Sequence, residues 1–245
     1  MDIIPVIDLK AGEVVRAQKG ARHLYAPIET PLAPTSRPDD VVAGFLSLYD
    51  FRAIYIADLD AIEGHGSHAE TIARLETKFP SVSFWVDAGV GDEKEARAFL
   101  AHQRSDLVLG SESLRDAETL AALRNESRIL LSLDFRGDEF QGLACLHEDE
   151  SLWPARLIVM TLARVGSGAG PDIDRLHDVI AKATRCHAIY AAGGLRDAED
   201  LVLLHAAGVQ GVLVASALHD GRLNAMTLAA ASGRTCRIVR KKGEP

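Results

Sequence analysis

Ile3-Ile4-Pro5-Val6-Ile7-Asp8-Leu9-Lys10 and Ile129-Leu130-Leu131-Ser132-Leu133-Asp134-Phe135-Arg136 are the two stretches whose reading decides the fold. Each is a short apolar run that reaches an aspartate near its end. The apolar character is continuous, as in a strand buried on both faces. Six more runs of this kind lie at 53–57, 83–86, 107–109, 157–160, 188–191 and 211–214, which with 3–7 and 129–133 makes eight predicted strands. Apolar residues recur at helical spacing over 39–49, 68–78, 93–102, 116–123, 173–184 and 198–207. Strands alternating with helices predict a parallel sheet. Eight of them predict an α/β protein of the (β/α)8 TIM-barrel class. An open doubly wound sheet is the alternative, but no Gly-x-Gly-x-x-Gly turn follows the first strand. The segment 138–155 is short and carries Pro154, so its helix is expected to shrink to a turn.

The two quoted stretches are partners in an internal repeat. At an offset of 105, Gly89, Asp92 and Val108-Leu109-Gly110-Ser111 match Gly194, Asp197 and Leu213-Val214-Ala215-Ser216. Asp8 and Asp134 close strands one and five, on opposite sides of an eight-membered ring. Two similar half-barrels explain both coincidences.

Composition agrees. The chain has 245 residues, 47% hydrophobic but 5% aromatic, so aliphatic layers fill the core. That length suits one barrel domain over 1–245. The net charge of −8 leaves no basic footprint for nucleic acid. A basic run in the tail, about 234–245, reads as a solvated terminus. Cys145, Cys186 and Cys236 are odd in number and far apart, which fits a reducing cytoplasm and no structural zinc. The start has no basic, long-apolar signal pattern, and no apolar run reaches a membrane span of about 18 residues.

In barrels the active site lies at the C-terminal ends of the strands. Asp8, Asp58, Asp87, Asp134 and Thr161 close strands there. An aspartate in that place serves equally well as a loop cap, but the facing positions of Asp8 and Asp134 favour a base and acid pair. Small residues that present backbone N–H groups suit phosphate. Gly89, Gly91, Gly110 and Ser111 form one candidate set, and Gly193, Gly194, Ala215 and Ser216 the other, so a substrate with a phosphate at each end could span the mouth. The bland alternative is plain turn glycines. His65 and His68 lack a third ligand and read as loop residues, so no metal is expected. The glycines at 166–170 suggest a loop able to close over a ligand.

At these residues the sequence resembles the HisA/HisF family of histidine-biosynthesis barrels. Ile4-Pro5-Val6-Ile7-Asp8-Leu9-Lys10-Ala11-Gly12 with Val14-Val15-Arg16 is similar to the family's first strand and loop. Tyr55-Ile56-Ala57-Asp58-Leu59-Asp60-Ala61, Ser132-Leu133-Asp134 and Ala192-Gly193-Gly194 extend the likeness over nearly the whole chain. The isomerase branch looks nearer than the cyclase branch. It performs an Amadori rearrangement of a substrate with two phosphates and needs no metal or cofactor. The resemblance implies Asp8 as the base at the sugar C2 and Asp134 with Thr161 as acid or positioning groups. It adds Arg16 and Asp58 as further substrate contacts. The chain departs from the family in having Ala163-Arg164-Val165-Gly166-Ser167 in place of an Asp-Gly-Thr loop and Ala215-Ser216 in place of Gly-Arg. It also lacks the Gly-Trp after strand five. The opening through Ala61, with His23-Leu24-Tyr25-Ala26-Pro27-Ile28, is similar to a paralogue group of methanogens and methylotrophs. That likeness implies a link to one-carbon cofactors of the methanopterin or methanofuran kind.

Overall fold

Among the described residues, eight parallel strands pair in chain order: β1 (Asp2–Lys10), β2 (Ala53–Asp58), β3 (Ser83–Asp87), β4 (Asp106–Gly110), β5 (Ile129–Arg136), β6 (Arg156–Thr161), β7 (Ala188–Ala192) and β8 (Gly211–Val214). Strand β8 pairs back onto β1, from Asp2 with Gly211 to Pro5 with Val214, and closes the barrel. Carried from Val214 back through β7, β6, β5, β4, β3 and β2, the level of Pro5 returns to the first strand at residue 13. That stagger of eight residues is the shear of a TIM barrel. The structure, a computed structural model, describes residues 1–18 and 21–233, so the basic tail and Cys236 lie outside the described residues.

Residues paired in register share a face of the sheet. Asp8 pairs with Ala57 and Ala57 with Asp87, and this set points into the barrel. Asp134 pairs with Met160 and Met160 with Ala192, also inward. Below them Ile4, Tyr55, Trp85, Val108, Leu130, Ile158, Tyr190 and Leu213 fill the interior. The Trp85 and Tyr190 rings meet edge to face at 4.9 Å, and the Arg156 guanidinium lies over Trp85. These rings plug the bottom of the barrel, so the mouth is the open end.

The alternate residues face the helices α1 (Pro38–Leu48), α2 (Ala69–Lys78), α3 (Glu93–His102), α4 (Glu118–Leu123), α5 (Ile173–Lys182), α6 (Ala198–Ala206) and α7 (Ala225–Ser232). Ile7, Ile56, Val86, Leu109, Leu133 and Val159 pack there against Phe45, Leu75, Leu176 and Leu204. Truncating a fully buried leucine of this shell, such as Leu75, costs about 2–5 kcal/mol. Asp92, Asp172, Asp197 and Asn224 cap the N-termini of α3, α5, α6 and α7 by accepting N–H groups of the first turn.

Each predicted strand and each predicted helix is present, with ends shifted by at most three residues. After β5 the helix is reduced to a turn, Cys145–Glu148, as Pro154 implied. The helix α7 was not read from the sequence. Nor was the hairpin after β1, in which Glu13–Arg16 pairs back on β1 and Ala26–Pro27 pairs on it in turn. That hairpin brings Arg16, Arg22 and Tyr25 over the mouth. No helix among the described residues is long and apolar enough to cross a membrane.

Candidate active site

A cavity of about 280 Å³ occupies the mouth at the C-terminal ends of the strands. Asp8, Asp87 and Asp134 reach it from β1, β3 and β5. Arg16, Arg22 and Tyr25 come from the hairpin after β1. Gly193, Gly194, Ala215 and Ser216 form its wall after β7 and β8, and residues 165–168 cover it after β6. A Cβ on Gly166 would lie 2.3 Å from the Ala17 carbonyl oxygen, so this loop rests directly on the first hairpin.

The three inward aspartates are held in different ways. Asp8 is partly exposed to the cavity. Burial pushes its carboxyl up to about 7, with the Arg22 charge opposing. Asp134 is buried and pushed up to about 7 by burial, although Ser132 Oγ donates to its Oδ1 at 2.7 Å. Its backbone N–H donates to Ser111 Oγ at 2.9 Å, which fixes the end of β5. Asp87 is raised to about 6 by burial; Gly89 N–H donates to its Oδ1 at 3.0 Å and Tyr55 Oη to its Oδ2 at 3.4 Å. Tyr55, enclosed among these carboxylates, is pushed well above its ordinary value, so it stays a proton donor. Carboxyls poised near neutrality can both accept and give a proton at physiological pH.

Charge is distributed unevenly round the rim. On the β7 and β8 side, Arg16 Nη2 donates to Asp220 Oδ1 at 2.8 Å and Arg222 Nη2 to Asp220 Oδ2 at 2.7 Å. Burial opposes ionisation of Asp220, but these two guanidiniums hold it below the usual range. On the β3 to β5 side, Glu112 pairs with Arg22 beside Asp87 and Asp134.

Of the residues singled out in the sequence, the fold brings Asp8, Asp87, Asp134, Arg16, Gly166, Gly168, Gly193, Gly194, Ala215 and Ser216 to one cavity. It places the others elsewhere. Thr161 pairs in register with Phe135 and faces the helices; its hydroxyl meets Asp172 Oδ2 at 3.5 Å, and Met160 lines the mouth in its stead. Asp58 pairs with Leu9, also outward. It caps the short helix Leu59–Ile62, accepts His68 N–H at 2.7 Å and lies 2.7 Å from His68 Nδ1. His68 Nε2 in turn accepts Gly12 N–H at 2.9 Å, so its ring is a structural strut. A substrate contact for Asp58 and a catalytic contact for Thr161 do not fit this geometry.

The first phosphate set is also closed. Gly91 N–H donates to Glu95 Oε2 at 2.8 Å, and the Arg115 side chain covers that turn. Ser111 is fully buried, its Oγ 2.7 Å from the Gln141 carbonyl oxygen. Gly110 leaves room: a Cβ there would crowd Asp87 Oδ2 at 3.3 Å and Asp134 Oδ2 at 3.4 Å. Sequence reading missed Tyr55, Arg22, Glu112 and Met160 as cavity residues and named Asp87 only as a strand end. The usable signal was parity, since Asp87 and Tyr55 share the inward face with Asp8.

Comparison with known proteins completes the picture. The model of the histidine biosynthesis protein family matches residues 2–224. A phosphoribosyl imidazole-4-carboxamide isomerase of Myxococcus xanthus is 31% identical over 246 residues, covering 94% of this chain and 98% of its own. One of the same name from Halothermothrix orenii is 29% identical over 241 residues, covering 91% and 96%. An uncharacterized protein of Methanocaldococcus jannaschii is 30% identical over 232 residues, covering 91% and 96%. A match that runs from β1 to beyond β8 places the chain in the histidine biosynthesis protein family.

Proposed function

We propose that the protein is an isomerase that moves a proton between neighbouring carbons of a phosphorylated, ribose-derived small molecule, in the manner of an aldose to ketose or Amadori rearrangement. The observation that carries this reading is the pair Asp8 and Asp134, on opposite strands of the mouth and both pushed up to about 7 by burial. Asp8, with its carboxylate open to the cavity, takes the proton from the carbon next to the carbonyl or imine. Asp134, fixed by Ser132 and the Glu112 N–H, supplies the proton that opens the sugar ring at its oxygen. Phosphate sits at Gly193, Gly194, Ala215 and Ser216, with Arg222 and Arg16 adding positive charge. Positions Gly193 and Gly194 take φ of +103° and +87°, a backbone that suits glycine, and both line the cavity.

A second reading is the activity for which the Myxococcus and Halothermothrix relatives are named. It is favoured by their identity over nearly the full chain. A one-carbon cofactor role draws no support from the relatives described above, none of which is named for it. Steady-state assays of wild type, Asp8→Asn and Asp134→Asn test both readings, with the relatives' named substrate and with a panel of ribose-derived phosphate esters. Turnover in wild type that falls at least a hundredfold in both variants supports acid and base chemistry. Phosphate-ester binding with no turnover of any compound would instead make the barrel a binding protein.

A further inference from the structure

The internal repeat gives this barrel two equivalent turns for phosphate, and only one is open. At the offset of 105, Gly89 corresponds to Gly194, Ser111 to Ser216 and Glu112 to Ala217. In the second half the N–H groups of Gly194, Ser216 and Ala217 and the Ser216 hydroxyl have no acceptor among the described residues, and Gly194 and Ser216 line the cavity. In the first half every equivalent group is taken. Gly89 N–H donates to Asp87 Oδ1 at 3.0 Å, Ser111 N–H to the Ser132 carbonyl oxygen at 2.9 Å and Glu112 N–H to Asp134 Oδ2 at 3.4 Å. The Ser111 Oγ is held between Asp134 and Gln141.

The closure is local to this turn. The bond from Gly91 N–H to Glu95 has its counterpart in Arg196 N–H to Asp200 at 2.8 Å, so the two helix starts match. What differs is the lining, where Asp87 stands opposite Ala192 and Glu112 opposite Ala217. The chain after β5 also lies over the first turn, since a Cβ on Gly142 would be 2.3 Å from the Ser111 carbonyl oxygen. Opening the first turn would require breaking these bonds and lifting that segment.

We infer that the substrate anchors through a single phosphate at the Gly194 and Ser216 turn and presents a hydrogen-bond-donating group, hydroxyl or ammonium, to Asp87 and Glu112. This rests on the phosphate-ester reading of the cavity. Carboxylates accept hydrogen bonds, and crowding a second phosphate against Asp87 and Glu112 is repulsive. Arg22 is already committed to Glu112. Arg136, exposed at the rim and without an ion pair among the described residues, is the remaining group on that side that could hold an anion.

Calorimetric titration of the wild-type protein with three probe series decides the matter: n-alkyl phosphates, ω-aminoalkyl phosphates and α,ω-alkane bisphosphates of four to eight carbons. At the best chain length the aminoalkyl phosphate should bind at least tenfold more tightly than the bisphosphate. A bisphosphate that binds as tightly as the aminoalkyl phosphate, or more so, overturns the inference. The alkyl phosphates report the underlying reading separately. If none of them binds and Ser216→Ala changes nothing, the phosphate anchor itself is wrong.

Discussion

Replacing Asp8 by Asn should stabilise the protein at alkaline pH while removing its acid and base function. Burial pushes the Asp8 carboxyl from its ordinary 3.8 to about 7, against the opposing charge of Arg22, and no hydrogen bond is among the influences on it. A rise of about three pH units corresponds to about 4 kcal/mol at about 1.4 kcal/mol per unit. The group faces a wet cavity and shares it with Asp87 and Asp134, so about 2 kcal/mol is the working figure. In the folded protein the carboxyl keeps a proton that the unfolded chain releases near pH 4. The cost of ionising it is therefore absent below about pH 4, grows between 4 and 7, and is complete above 7. Asparagine is neutral throughout and avoids that cost. Scanning calorimetry from pH 4.5 to 8.5 should show Asp8→Asn melting several degrees above wild type at pH 8.5, since about 1 kcal/mol is worth 2–4 °C at this size, with little gain at pH 4.5. A variant that melts at or below wild type at pH 8.5, or gains equally at both ends, would refute the reasoning.

Three other outcomes follow from the same geometry. Asp58→Ala removes the acceptor of Ala61 N–H, His68 N–H and the His68 ring, so urea unfolding should show a loss of about 2–4 kcal/mol while KM and kcat of the folded protein stay unchanged. Gly194→Ala forces a Cβ to 2.1 Å from the Gly170 carbonyl oxygen at φ +87°; alkyl phosphate affinity should drop at least tenfold and stability by about 1 kcal/mol or more. With Asp8 needed as carboxylate and Asp134 as acid, both near 7, the pH profile of kcat/KM should be a narrow bell with its maximum near 7. A flat profile from pH 5 to 9 would exclude this pair.

The sequence carried the barrel because its strands are marked twice, by apolar runs and by the repeat of Gly89 and Ser111 in Gly194 and Ser216. It did not carry the direction of each side chain. In a strand apolar on both faces no alternation distinguishes inside from outside, and a one-residue error turns a side chain to the other face. Thr161 and Asp58 fell to that error, one residue beyond the inward Met160 and Ala57. Asp8 and Asp134 fall on the inward face, in register with Ala57 and Met160. The closed first turn was unreadable for another reason: Gln141 and Gly142 reach Ser111 across thirty residues of sequence.

Solvent isotope incorporation reaches the proposed chemistry most directly. If Asp8 takes a proton from carbon and exchanges it with water, wild type incubated in D2O with its phosphorylated sugar substrate should wash deuterium into the carbon next to the carbonyl, seen by NMR. Asp8→Asn should bind the same compound and leave that carbon protonated. Deuterium wash-in at the wild-type rate by the variant would contradict Asp8 as the base.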